Sequence, residues 1–221
     1  MPSTLASTSR GRDGVAVDLS TFLAPPHTAL VANECQRGVV GDHSLLPELA
    51  RAAAPVVPTI ARLVAAARRA GVPVVHTTAV RRADGRGSNQ NARLFMATRR
   101  SPRPMVPGSP QAEILPEIGV ADSDLVLPRL HGLSPMSGTE LDPVLRNLGV
   151  RTIVAVGVSV NVAITNLVFD AVNAGYQVVV PRDAVAGLPP SYVEAVFEHT
   201  LGLLATLTTA AEVLRIWDAA G

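Results

Sequence analysis

A chain of 221 residues that is 48% hydrophobic but only 3% aromatic can fill one sizeable α/β domain, with a core built from Val, Leu, Ile and Ala rather than rings. Its net charge is +1 with acids and bases interspersed, which speaks against nucleic-acid binding by bulk electrostatics. All 19 basic residues are arginine, which excludes a lysine base or Schiff base, and the lone Cys35 excludes an intramolecular disulfide and a four-thiolate zinc site.

Residues 1–26 carry Ser, Thr and Pro with little periodicity and read as an N-terminal arm preceding a domain over 27–221. "HTALVANE", 27–34, is an apolar run with a polar end, the pattern of a buried strand. "PTIARLVAAARRAG" follows from Pro58 as a helix, with proline in its first turn and Gly71 past its end. Ile60, Leu63, Val64 and Ala67 share its apolar face. "VPVVHTT", 72–78, is the second strand.

Residues 81–110, rich in Gly, Ser, Asn, Arg and Pro, form a long irregular insertion with a short helix near 90–97. Such loops serve as lids or partner contacts. Arg99, Arg100 and Arg103 cluster within it and read as a solvated loop. "SDLVLPR", 123–129, is the third strand, and 137–149 a helix with Leu141, Val144, Leu145 and Leu148 on its apolar stripe. The fourth strand, 150–158, leads into a buried helix at 161–175, and a fifth strand spans 176–184. A helix at 190–200, a sixth strand "LGLLATLT" and a last helix to about Trp217 complete the chain. Thr209 and Glu212 supply a capping box for that helix.

Strands alternating with helices, and strands apolar throughout, predict an open parallel six-stranded sheet with helices on both faces, an α/β three-layer sandwich. Ligands of such sheets bind beyond the carboxyl ends of the strands. No run of about 20 apolar residues is present to span a bilayer. The N-terminus lacks the apolar core of a secretion signal, so a cytoplasmic protein is expected.

The strand ends carry the candidate chemistry. Glu34 is either a general acid/base or an anchor for loop amides. Strand alternation places Gln36 on its face and Cys35 on the other, where a lone cysteine is more often core than nucleophile. Arg129 can hold an anionic group or pair with Glu34, and His131 can shuttle a proton or bond to loop backbone. His76 ends the second strand; Glu34, His76 and His131 match no metal-ligand spacing, so no metal is expected. Ser159 and Asn161 sit where the fourth strand meets the buried helix, Asn161 as a possible N-cap. Asp183 reads as a loop cap.

The stretch 137–187, "SGTELDPVLRNLGVRTIVAVGVSVNVAITNLVFDAVNAGYQVVVPRDAVAG", resembles the isochorismatase-like hydrolase superfamily, also called cysteine hydrolases, and the similarity extends over roughly 27–217. The resemblance implies a parallel six-stranded sheet, a small-molecule substrate, no cofactor and a homo-oligomer, dimer or tetramer. Family members end the first strand with an aspartate followed two residues later by glutamine; here "NECQ" has Glu34 and Gln36. The family lysine, counted back from Ser134, falls on Leu130, flanked by Arg129 and His131. The family cysteine falls on Ala163, whose methyl cannot attack a carbonyl. The isochorismatase branch carries glycine at that place and works without a covalent intermediate.

The expectation is therefore a hydrolase acting on a small, anionic molecule by non-covalent acid–base chemistry. Glu34, Arg129 and His131 would be catalytic, with Gln36, His76, Ser159, Asn161 and Ala163 around the substrate. A pseudoenzyme that kept the fold as a ligand-binding or assembly module is the alternative, and a displaced nucleophile at Cys35 is a third.

Overall fold

The computed structural model describes residues 18–99 and 101–220. In chain order the helices are α1 (Leu19–Phe22), α2 (Arg37–Val40), α3 (Pro47–Ala53), α4 (Val57–Arg69), α5 (Arg93–Arg99), α6 (Leu141–Asn147), α7 (Thr165–Asn173), α8 (Pro190–Val196), α9 (Gly202–Leu204) and α10 (Ala210–Asp218). The strands are β1 (Thr28–Asn33), β2 (Val74–Ala79), β3 (Leu125–Arg129), β4 (Thr152–Val158), β5 (Gln177–Pro181), β6 (Val185–Ala186) and β7 (Thr206–Thr208).

The sheet is parallel, in the order β3-β2-β1-β4-β5-β7. The two-residue β6 adds a seventh strand beside the end of β4, where Gly157 pairs with Val185. The strand order reverses between β1 and β4, so their carboxyl ends open onto the crevice where such sheets bind ligands.

Every residue of β1 and β4 is buried. Leu30, Val74 and Val154 face α4 and α10 in one apolar layer. Val31, Val75 and Ile153 face the layer that contains Leu145, Leu167 and Val196 from α6, α7 and α8. Burial on both faces is why these strands lack a polar alternation. The edge strand β3 differs: Val126 and Pro128 are exposed. The expected face of α4 holds, with Ile60, Leu63, Val64 and Ala67 all buried.

Several expectations are corrected. Leu148 is 41% exposed, because α6 ends at Asn147 and turns it outward. The run "LGLLATLT" is not one strand: Gly202–Leu204 is helical and only Thr206–Thr208 pairs. A short apolar run does not reveal its period. The capping box of α10 is half formed: Thr209 accepts from the Glu212 N–H at 3.3 Å, but the Glu212 carboxylate takes the Thr208 hydroxyl instead. Of the expected N-terminal arm, residues 1–17 lie outside the described residues. The rest joins the domain, since Leu23 is fully buried and its carbonyl accepts from Trp217 Nε1 at 3.0 Å. Among the described residues no single helix is long and apolar enough to cross a membrane.

Candidate active site

The seam between β1 and β4 shapes the site. Asn33 is fully buried. Its side-chain nitrogen donates to the Val158 carbonyl, and its Oδ1 accepts from the Thr77 hydroxyl at 2.8 Å, so one side chain ties the ends of β2, β1 and β4. Opposite it, Gly157 has φ 105°, and a Cβ there would lie 2.2 Å from the Asn33 carbonyl oxygen. Only glycine allows the strands this close. β1 then stops. Glu34 takes the left-handed φ of 51°, fixed by its N–H on the Thr77 carbonyl at 2.8 Å.

Beyond this seam lies a cavity of about 240 Å³. Glu34, Arg129 and His131 line it from the strand ends, and Ser159, Val162 and Ala163 from the entry to α7. That entry is a wide π-turn over Val160–Ile164, whose Ile164 N–H reaches the Ser159 carbonyl at 3.0 Å. Gly38, Val39, Leu45, Leu46 and Leu49 supply one wall, and the segment from Arg81 to Met105 covers another. The Gly132 N–H donates to Asn89 Oδ1 at 2.8 Å, pinning that segment to the loop after β3. The insertion is thus a wall of the cavity.

Arg129 Nη2 donates to Glu34 Oε1 in an ion pair whose side chains are only 7% and 16% exposed. Arg129 Nε reaches the Gly132 carbonyl at 3.4 Å, and Nη1 is buried with no partner among the described residues. A buried guanidinium N–H left without an acceptor is rare enough to need an explanation. His131 is exposed at the rim.

The structure therefore brings Glu34, Arg129, His131, Ser159 and Ala163 together and leaves out three expected residues. Gln36 is fully buried outside the cavity lining: its Nε2 donates to the Ala79 and Ala112 carbonyls, each at 3.1 Å, and its Oε1 accepts from the Ala79 N–H at 2.8 Å. The left-handed turn at Glu34 breaks the strand parity that had paired the two side chains. His76 faces α4, where its Nε2 meets Asp124 Oδ2 at 3.0 Å and Arg68 Nε reaches Asp124 Oδ1 at 3.1 Å. Burial pushes the His76 imidazole below its ordinary value, against the pull of Asp124. Asn161 lies outside the cavity lining, its Oδ1 buried without a partner. It does not cap the turn, whose N-cap position is Ser159. Asp183 accepts from the Ala210 N–H at 2.7 Å, a second side-chain acceptor at the start of α10 beside Thr209.

Cys35 is 1% exposed and lies outside the cavity lining. Burial, helped by the neighbouring Glu34 charge, pushes its thiol up to about 12. A displaced nucleophile there has neither access nor thiolate. Among the described residues no three His, Cys, Asp or Glu side chains gather into a metal-binding group.

Sequence reasoning placed Asn33 at a strand end but gave it no role, and missed Arg81, Ser88 and the apolar side chains of α2, α3 and α5 in this region. Arg81 was within reach: it lies two residues past the end of β2 at Ala79, nearer than Gln36, which lies three past the end of β1 at Asn33.

The sequence pattern of the Isochorismatase domain family matches residues 28–212. The chain belongs to that family. Among curated members, the ureidoacrylate amidohydrolase RutB of Enterobacter sp. (strain 638) is 30% identical over 191 residues, covering 77% of this chain and 80% of that protein. The N-carbamoylsarcosine amidase of Arthrobacter sp. is 27% identical over 139 residues, 63% of this chain. That match spans about half of the amidase, 52% of its length. Among solved structures, a cysteine hydrolase from Pseudomonas syringae pv. phaseolicola 1448A superposes with a TM-score of 0.78 at 25% identity, covering 89% of this chain and 95% of that one. This isochorismatase-family chain is thus a homologue of hydrolases with an α/β fold, and its crevice lies where the sheet topology predicts.

Proposed function

We propose that this chain hydrolyses a small anionic molecule by non-covalent acid–base chemistry, with Glu34 as the group that takes and returns the proton. The observation that carries this reading is the Arg129–Glu34 ion pair set in the wall of the cavity. Arg129 holds one carboxylate oxygen, leaving the other for a water molecule. The guanidinium also offsets the charge that would otherwise be costly at a site this buried. As water attacks, negative charge develops on the substrate, and the Arg129 guanidinium, whose Nη1 has no partner among the described residues, is the donor we assign to receive it. His131, at the rim, carries a proton to or from the leaving group. Ala163 presents a methyl to the cavity, so the attacking atom in this scheme is water oxygen rather than sulfur. Two relatives are named as an amidase and an amidohydrolase, which makes an amide-type C–N bond the first to assay.

The test is ammonia release from a panel of small amides, carbamoyl and ureido compounds by the wild-type chain and by Glu34→Gln, with thermal melts to establish folding. General acid–base catalysis contributes roughly 10²–10⁴-fold, and Glu34→Gln should lose that factor. Activity retained in Glu34→Gln ends the proposal. Compounds bound by both proteins and turned over by neither would make the chain a binding module instead.

A further inference from the structure

We propose that the substrate is a carboxylate on an apolar body, and that Arg81 and Ser88 receive the carboxylate while Arg129 serves the reacting end. This deepens the acid–base reading of the cavity and rests on it only for the role given to Arg129.

Six buried side-chain polar atoms lack a partner among the described residues. Three belong to residues of this one cavity: Arg81 Nε, Ser88 Oγ and Arg129 Nη1. Native structures seldom leave such atoms unpaired unless a ligand or water completes them. Two are guanidinium N–H donors and the third is a hydroxyl that can donate, so an acceptor would complete all three.

Charge points the same way. Among the described residues Glu34 is the single carboxylate lining the cavity, against the guanidinium groups of Arg81, Arg99 and Arg129. Arg129 engages Glu34. Arg81 has no carboxylate among the described residues, and its Nη1 finds only the Arg99 carbonyl, at 3.4 Å. Arg99 Nη1 is taken by Gln90 Oε1 at 2.7 Å. Arg81 is thus left without a countercharge in the cavity wall, with the exposed Arg99 beside it, and such a field favours anions. Arg81 and Ser88 lie on the insertion, and Arg129 at a strand end. One molecule touching both groups spans from the reacting end to the insertion wall.

The remaining surface fixes the body of that molecule. Leu46, Leu49, Leu94, Phe95 and Met105 line the cavity. Leu46 is 37% and Leu94 41% exposed, and α5 buries no residue of its own. An apolar ligand body would cover what this helix leaves open.

The experiment compares phenylacetate with its neutral counterpart phenylacetamide by calorimetric titration of the full chain, so binding is read without turnover. The wild type should bind phenylacetate about ten-fold more tightly, and the Arg81→Gln/Ser88→Ala double variant should bring that preference below about three-fold. Arg81→Lys should retain part of it, and Arg82→Gln, outside the cavity lining and paired with Asp84, should leave it in place. No preference in the wild type overturns the proposal. So does a preference that survives the double variant, or one that Arg82→Gln removes equally. Should Glu34→Gln keep its activity while the Arg81-dependent preference holds, the acid–base reading falls and the carboxylate site stands.

Discussion

Glu34 is the one non-glycine residue with a positive φ among the described residues, and that backbone turn points a strand-end carboxylate into the cavity rather than along the sheet. Its neighbour across the seam is as tightly specified. Gly157→Ala must place a methyl 2.2 Å from the Asn33 carbonyl oxygen at a φ of 105°, so the strands have to separate beside the site. The substitution should cost about 3 kcal/mol or more, read as a lower denaturant midpoint with the slope unchanged. An unchanged midpoint would mean that the seam tolerates a side chain. The glycine was visible in "VAVGVS", yet nothing in that apolar run announces its left-handed backbone. The possible pairing of Arg129 with Glu34 was legible because both end parallel strands. The fate of His76 was not. Parity puts Val74, His76 and Thr78 on one face of β2, but which face meets the cavity depends on the crossover of α4.

At the scale of elements, His76 belongs to a latch that joins β2, the entry to β3 and α4. His76 is fully buried between Asp124 and the apolar layer, and Asp124 also takes Arg68 and the Ala121 N–H, the last at 3.0 Å. Burial pushes the Asp124 carboxyl up, but the hydrogen bonds from Arg68, Ala121 and His76 outweigh it and leave it below its ordinary value. Both groups are held below their unfolded values. Each therefore contributes stability above its unfolded pKa that is lost as pH falls through the folded one. For His76 the loss begins as pH drops below about 6.5, and for Asp124 below about 3.9. A His76→Leu chain should show a flatter fall in stability from pH 7 to pH 5 than the wild type, the difference reaching at most about 1.4 kcal/mol per pH unit. Equal slopes in urea titrations across that range would remove His76 from the acid response. Elements with chemical punctuation were the readable ones: proline opens α4, and Thr209 caps α10 through the Glu212 N–H. α2 was not foreseen, because it is a single turn with no side-chain cap, and α3 was not foreseen although Pro47 opens it, because its seven residues are too short to show an apolar period.

At the scale of the molecule, the fold class was readable because double-sided burial writes itself into β1, β4 and β5 as unbroken apolar runs. The limit of the domain was not readable, because a single leucine decides it. Residues 18–26 show no periodicity and read as the end of an arm, yet Leu23 sits in the core beneath α10. Trp217 Nε1 donates to its carbonyl at 3.0 Å, and the buried Thr28 hydroxyl donates to the Phe22 and Ala24 carbonyls at 3.0 and 2.9 Å. A chain beginning at His27 loses the Leu23 side chain and strands two polar groups that a chain beginning at Asp18 satisfies. Removing a buried leucine costs about 2–5 kcal/mol, and each buried donor left unpaired about 1–3 kcal/mol more, less whatever water recovers at the newly opened surface. A net loss of about 3–5 kcal/mol corresponds to a melting temperature roughly 10 °C lower for a domain of this size. Thermal unfolding of the two chains measures it directly. Matching midpoints would make the segment an appendage and move the domain boundary back to residue 27, whereas the expected drop makes the Leu23–Trp217 contact the closing joint between the chain's entry and its last helix.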